Sequence, residues 1–181
     1  MLRRPQIDHI LRAAAAVTNH ARFVVVGSGA VIIASRKPVP ASMMMTDEID
    51  LYSDGVADHE PLGDLIDGTI GQGSMFHRTF HYYGDGVGPE TAIMPLDWRG
   101  RSTEYHGAEA PGVVAICPDP HDVALAKLCA WREKDIQWLR DALAAGIIGI
   151  AQMRANLRAG MPDAAPPAEV IETRLMALEH R

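Results

Sequence analysis

Cysteine is scarce, with only Cys117 and Cys129 in 181 residues. Two cysteines cannot staple a small secreted scaffold, so a disulfide framework is excluded and a reducing compartment is expected. Long apolar runs are missing too. The nearest approach, residues 23–26 and then 30–34, is interrupted by Gly27 and Gly29 and is too short to cross a bilayer. The start lacks the small-residue cleavage pattern of a secretory signal, so a soluble cytoplasmic protein without membrane contact is expected. Positive charge is not in excess: 17 Lys and Arg face 23 Asp and Glu, a formal charge of −6. That argues against a broad, non-specific nucleic-acid surface and leaves room only for a local basic patch. What remains, 48% hydrophobic and 22% charged, is the composition of a globular chain, not of a disordered, collagen-like or coiled-coil one.

Periodicity then divides the chain. Pro5 followed by Ile7, Ile10, Leu11, Ala14 and Val17 predicts a helix over 5–20. Phe23-Val24-Val25-Val26 reads as a strand buried on both faces, closed by Gly27-Ser28-Gly29, with a short helix opening at 30–34. Residues 37–40, Lys-Pro-Val-Pro, form a loop. A strand around 49–52 and a helix over 61–71 follow. Further strands are expected at 79–83, 91–94, 103–105 and 113–116, with a turn at 84–89. One long helix is expected over 120–145, with Asp119 as N-cap, Pro120 in its first turn and Gly146 as C-cap. Shorter helices at 148–158 and 168–179 complete the chain. Strands and helices mix in the first two thirds and helices alone fill the last, which is the pattern of an α+β fold with a helical tail.

Two motifs carry chemistry. Gly27-Ser28-Gly29 sits between a strand and a helix, where backbone N–H groups suit a phosphate. Glu48-Ile49-Asp50 places two carboxylates on one face of a strand, roughly 5–7 Å apart given the ~3.3 Å rise per residue. Such a pair can grip hard divalent cations, and without them its repulsion is costly. Each motif alone has a plainer account, a solvated strand face and an ordinary turn. Neither a lysine-containing phosphate loop nor a dinucleotide fingerprint is present.

In this order and on these elements, the motifs resemble the nucleotidyltransferase superfamily built on the DNA polymerase β-like core. The likeness extends through Asp67-Gly68-Thr69-Ile70-Gly71, Tyr82-Tyr83, Gly86-Val87-Gly88-Pro89-Glu90-Thr91-Ala92, Pro118-Asp119-Pro120-His121-Asp122, and Ala126-Lys127-Leu128 to Arg132-Glu133-Lys134-Asp135. These stretches are most similar to an uncharacterised bacterial and phage-associated branch related to AbiEii-type abortive-infection nucleotidyltransferases. The resemblance implies a mixed sheet flanked by helices over 1–117, with a helical part, 118–181, closing the cleft. It implies that Glu48 and Asp50 hold Mg2+ or Mn2+, and that Gly27 and Ser28 contact the phosphates of a nucleoside triphosphate. It also implies transfer of a nucleoside monophosphate to an acceptor: RNA, protein or small molecule.

The chain departs from the family pattern at three points. Its first acid is Glu, not Asp. A two-proline loop lengthens the gap before the acids. The third carboxylate has no unambiguous match: Asp85 is the choice, its alternative being an ordinary Gly-Asp-Gly turn, and Asp97 the poorer candidate. These departures support a second reading, a non-catalytic relative that binds a partner protein, for instance within a toxin–antitoxin pair. A plain phosphate-binding or hydrolase domain is the third.

On a straight helix over 120–145, at ~100° per residue, Lys127, Trp131, Lys134 and Trp138 form one stripe. Arg132 falls among Leu125, Leu128, Ile136, Leu139 and Leu143. There it must either snorkel or find a partner such as Asp135. The resemblance favours Lys127, with Arg132 or Lys134 as lesser candidates, as the cation facing the triphosphate. The eight histidines are scattered, and only His77 and His81 show i, i+4 spacing, which does not make a zinc site. Arg99 and Arg101 beside Trp98 offer either an acceptor-binding patch or a solvated loop.

Overall fold

The computed structural model describes residues 2–179. Five strands form one mixed sheet in the order β3-β2-β1-β5-β4. They are β1 (Arg22–Val26), β2 (Glu48–Ser53), β3 (Tyr83–Gly86), β4 (Thr103–Tyr105) and β5 (Val114–Cys117). β1 pairs antiparallel with β2 and parallel with β5; β2 and β3 run parallel; β4 and β5 run antiparallel. The α+β expectation holds.

Strand alternation gives the sheet two different faces. Phe23, Val25, Ile49, Leu51, Ala115 and Cys117 point into the main core. Packed there are α1 (Arg4–Thr18), α2 (Gly27–Ala34), α3 (Glu60–Ile70) and the C-terminal helices. Val24, Val26, Tyr52 and Ile116 face the other way into a small cluster capped by Met94. The acids of β2 share this second face, because Asp50 is two residues from Tyr52 and Glu48 four.

Three expected elements are different in the structure. Residues 79–83 are not a strand: α4 (Met75–Phe80) is helical, and the strand begins at Tyr83. Ser74 caps α4 by accepting the His77 N–H at 3.1 Å. Phe76 and Phe80, one turn apart, stack at 4.9 Å and enclose the His9 ring. Tertiary ring packing outweighs the β-preference of these residues. Residues 84–86 are then strand rather than turn. Their glycines serve close approach: a side chain on Gly86 would run into the Gly63 carbonyl of α3, and one on Gly84 would come within 2.8 Å of Ile10. Residues 89–91 form a 3-10 turn, and 91–94 pair with no strand.

The long helix is also broken. α5 (Pro120–Ala130) ends at Trp131, whose backbone is left-handed at φ 52°, and α6 (Glu133–Ala144) restarts after an extended Arg132. The expected N-cap holds, and the C-cap falls one residue early, at Ala145, with Gly146 just beyond it. Asp119 Oδ1 accepts the His121 N–H at 2.9 Å, and Gly146 takes φ +65°. α7 (Ile150–Leu157) and α8 (Ala168–Glu179) pack against α5. No helix among the described residues is long and apolar enough to cross a membrane.

Candidate functional site

Parallel pairing of β2 and β3 sets Glu48 beside Tyr83 and Asp50 beside Asp85. Paired residues on neighbouring strands share a face, so all four side chains project to the sheet's second side. The Tyr83 hydroxyl donates to Glu48 Oε2 at 2.7 Å and fixes that carboxylate. Burial, and then the charges of Glu48 and Asp85, push the Asp50 carboxyl up to about 6. Three half-buried carboxylates crowded on one face make a site that a cation would relieve.

The glycine turn meets these acids directly. Val26, the last residue of β1, pairs with Asp50, so the chain turns at Gly27 immediately beside it. Gly27 has φ +63°, and a Cβ there would sit 2.9 Å from Asp50 Oδ2. Only glycine suits the position, both for its left-handed backbone and for the closeness of the carboxylate. Ser28 follows in the first turn of α2.

Gly27, Ser28, Glu48, Asp50, Lys127 and Arg132 all line one cleft of about 400 Å³. Asp85 lies next to Asp50 in register but does not line that cleft. Burial, Asp67 and Glu48 push its carboxyl up, opposed by a hydrogen bond from the Gln72 backbone. Asp97, the poorer candidate, is bound to Arg101 at 2.6 Å and lies outside the cleft. Among the described residues no three His, Cys, Asp or Glu side chains are grouped to hold a metal ion. The donor set nonetheless suits magnesium, which takes one or two carboxylates and completes its shell with water and substrate phosphates.

The cationic side of the cleft depends on the break between α5 and α6. A straight helix would have buried Arg132 among leucines; the left-handed Trp131 instead carries it out, leaving its side chain 62% exposed. Asp135, wholly buried, ties both cations together. Arg132 Nε donates to Oδ2 at 2.6 Å, and Lys127 Nζ donates to Oδ1 at 3.3 Å. Burial would raise the Asp135 carboxyl, but Arg132 and Lys127 hold it below its ordinary value. Lys127 is nearly enclosed, with its Nζ 5.0 Å from the Trp138 ring centre. Burial draws its pKa down against the pull of Asp135. Lys134, the lesser candidate, lines the cleft from an exposed position.

Other sequence expectations resolve elsewhere. Arg101 is not a binding patch: it forms a fork with Asp122, Nε to Oδ2 at 2.9 Å and Nη2 to Oδ1 at 3.0 Å. Asn156 of α7 donates to the same carboxylate at 2.8 Å. Arg99 pairs with Asp54 at 2.9 Å. His77 accepts the Gly73 N–H and packs on Tyr83, while His81 caps α4. Met43 is buried, but Met45 stands 81% exposed at the cleft. Sequence reasoning missed Tyr83 as the partner of Glu48 and Trp138 as the partner of Lys127. Strand register, which sequence does not encode locally, holds the first. The second was visible only as shared helix stripe.

The model of a family described as a nucleotidyltransferase of unknown function (DUF6036) matches residues 5–163 of the chain. No curated protein matches it, and no solved structure does.

Proposed function

We infer that this chain, which belongs to that nucleotidyltransferase family, binds a nucleoside triphosphate with Mg2+ or Mn2+ and transfers the nucleoside monophosphate to an acceptor. The observation that carries this reading is the Asp50 carboxylate set against Gly27, in a cleft that also presents Lys127 and Arg132. A metal ion would join the carboxylate pair to phosphates held at the glycine turn.

In this reading Glu48 and Asp50 hold the metal, with Asp85 adding negative charge from the adjoining strand. The metal, when bound, neutralises the phosphates and lowers the barrier for attack by the acceptor hydroxyl. The backbone of Gly27 and Ser28, at the start of α2, orients the phosphate chain. Lys127 and Arg132 oppose the charge that builds on the departing pyrophosphate. The acceptor oxygen forms a bond to the α-phosphorus as the bond from that phosphorus to the α–β bridging oxygen breaks; pyrophosphate leaves and the acceptor's proton passes to solvent. Catalysis is then a matter of position and electrostatics.

Calorimetric titration of the chain with each nucleoside triphosphate, with and without Mg2+, tests this. Binding should require the metal and should be lost in Glu48→Gln and Asp50→Asn. Binding that survives in both variants rejects the assigned carboxylates. Asp85 standing outside the cleft favours a second reading, a non-catalytic relative binding a partner protein, such as the other half of a toxin–antitoxin pair. A wild type that binds no triphosphate but forms a stable complex with the product of a neighbouring gene decides for that reading.

A further inference from the structure

We propose that Arg174, on α8 and outside the stretch matched by the family model, is a positioning residue for the cations of the cleft. The inference rests on the triphosphate reading above. α5 ends with its last carbonyls lacking helical partners. The Trp131 N–H closes on the Lys127 carbonyl at 2.8 Å. The next two are met from outside the helix: Arg174 Nη1 donates to the Leu128 carbonyl at 2.8 Å and to the Cys129 carbonyl at 2.7 Å. The same guanidinium lies 5.3 Å from the centre of the Trp131 ring.

One side chain thus satisfies the terminus of α5, adds positive charge at its negative end and covers the residue at which the chain leaves the helix. The left-handed region is unfavourable for a residue as large as tryptophan and persists only where its surroundings impose it. Arg174 is that imposition. The consequence reaches the cleft through geometry. Without the break, Arg132 would fall among the leucines at ~100° per residue, and Lys127 and Asp135 would be about 12 Å apart along the axis. With it, Asp135 holds both cations at once. Both hydrogen bonds come from the one Nη1 while the planar guanidinium lies over the Trp131 ring, a combination that a lysine ammonium does not reproduce.

The test compares full-length wild type with Arg174→Met, Arg174→Lys and Arg154→Ala. The methionine keeps an unbranched stem that packs and removes the donors. Arg154, on α7, pairs with Glu172 and Glu179 of α8, so its removal weakens the α7–α8 contact while leaving the side chains of Arg174 and Trp131 in place, a control for general loss of stability. Titrations use ATP, GTP, CTP and UTP, each with Mg2+, and hydrogen exchange is followed over residues 128–136. Arg174→Met should weaken the triphosphate that wild type binds by about tenfold, the scale of a displaced charge-assisted contact, and speed exchange over 128–136. Arg174→Lys should fall between, at about threefold. Arg154→Ala should lower thermal stability and leave affinity unchanged. Wild-type affinity in Arg174→Met, unchanged exchange over 128–136, or an equal affinity loss in Arg154→Ala each overturns the proposal. If wild type binds no triphosphate, the functional reading fails on its own, and hydrogen exchange still judges whether Arg174 holds the break.

Discussion

The Asp50 carboxylate rests against the bare Cα of Gly27, so close that a methyl group there would stand 2.9 Å from Oδ2. The glycine is also held at φ +63°. Gly27→Ala therefore meets two costs: a left-handed backbone, about 1–2 kcal/mol, and a displaced carboxylate. Urea unfolding should show a loss of about that size. Metal-dependent triphosphate binding should fall by more than stability explains, because Asp50 must move. An alanine variant that binds as wild type does would show the contact to be incidental.

The pH dependence of the metal-free protein follows from Asp50. Its carboxyl is raised from 3.8 to about 6 by burial first and then by Glu48 and Asp85. A raised acid binds more protons folded than unfolded between those two values, so stability falls as pH climbs through this window. The shift corresponds to about 3 kcal/mol at most for one fully coupled group. Asp50→Asn should be the more stable protein at pH 7 without metal, should flatten the profile between pH 4 and 6, and should no longer be stabilised by Mg2+. Thermal unfolding across pH, with and without metal, reads all three.

How much of this was legible in sequence depends on the range of the interaction. β1, its glycine turn and β2 are set by local patterning, and the start of α8 at Ala168 is likewise legible in the sequence. Local signals failed where distant residues decide. Phe76 and Phe80 are β-prone alone and helical beside His9. Gly84 and Gly86 read as a turn until α3 packs on them. The break at Trp131 has no proline or glycine to announce it, since its support comes from Arg174, more than forty residues later. The one sequence-level warning was Arg132, a guanidinium on an apolar face.

Asp122 makes a stability prediction independent of function. It is wholly buried and receives Arg101 through both oxygens as well as Asn156. Removing Arg101 leaves the wholly buried Asp122 charge without its cation, which costs about 3–5 kcal/mol. Arg101→Ala should therefore unfold at much lower urea than wild type. Asp122→Ala should cost less, because Arg101 is a quarter exposed and keeps Asp97 at 2.6 Å, and the double variant should cost less than the two losses added. Additive losses would mean that the fork contributes little.

Lys127 and Asp135 make the sharpest demand on the site. Lys127 is nearly enclosed, and Asp135, 3.3 Å away, works against the downward pull of burial on its pKa. Burial favours a neutral amine, and Asp135 opposes it. Asp135→Asn removes that support from Lys127 and the fork from Arg132 in one step. Its expected outcome is loss of triphosphate binding that is worse at high pH, where the unsupported lysine gives up its proton, and partly recovered as pH falls. Lys127→Met should weaken binding by about tenfold or more without that steeper alkaline limb, because no lysine remains to titrate. Affinity measured from pH 6 to 9 in wild type and both variants separates the two effects. Parallel profiles for Asp135→Asn and wild type would show that Asp135 shapes the wall of the cleft and leaves the charge of Lys127 alone.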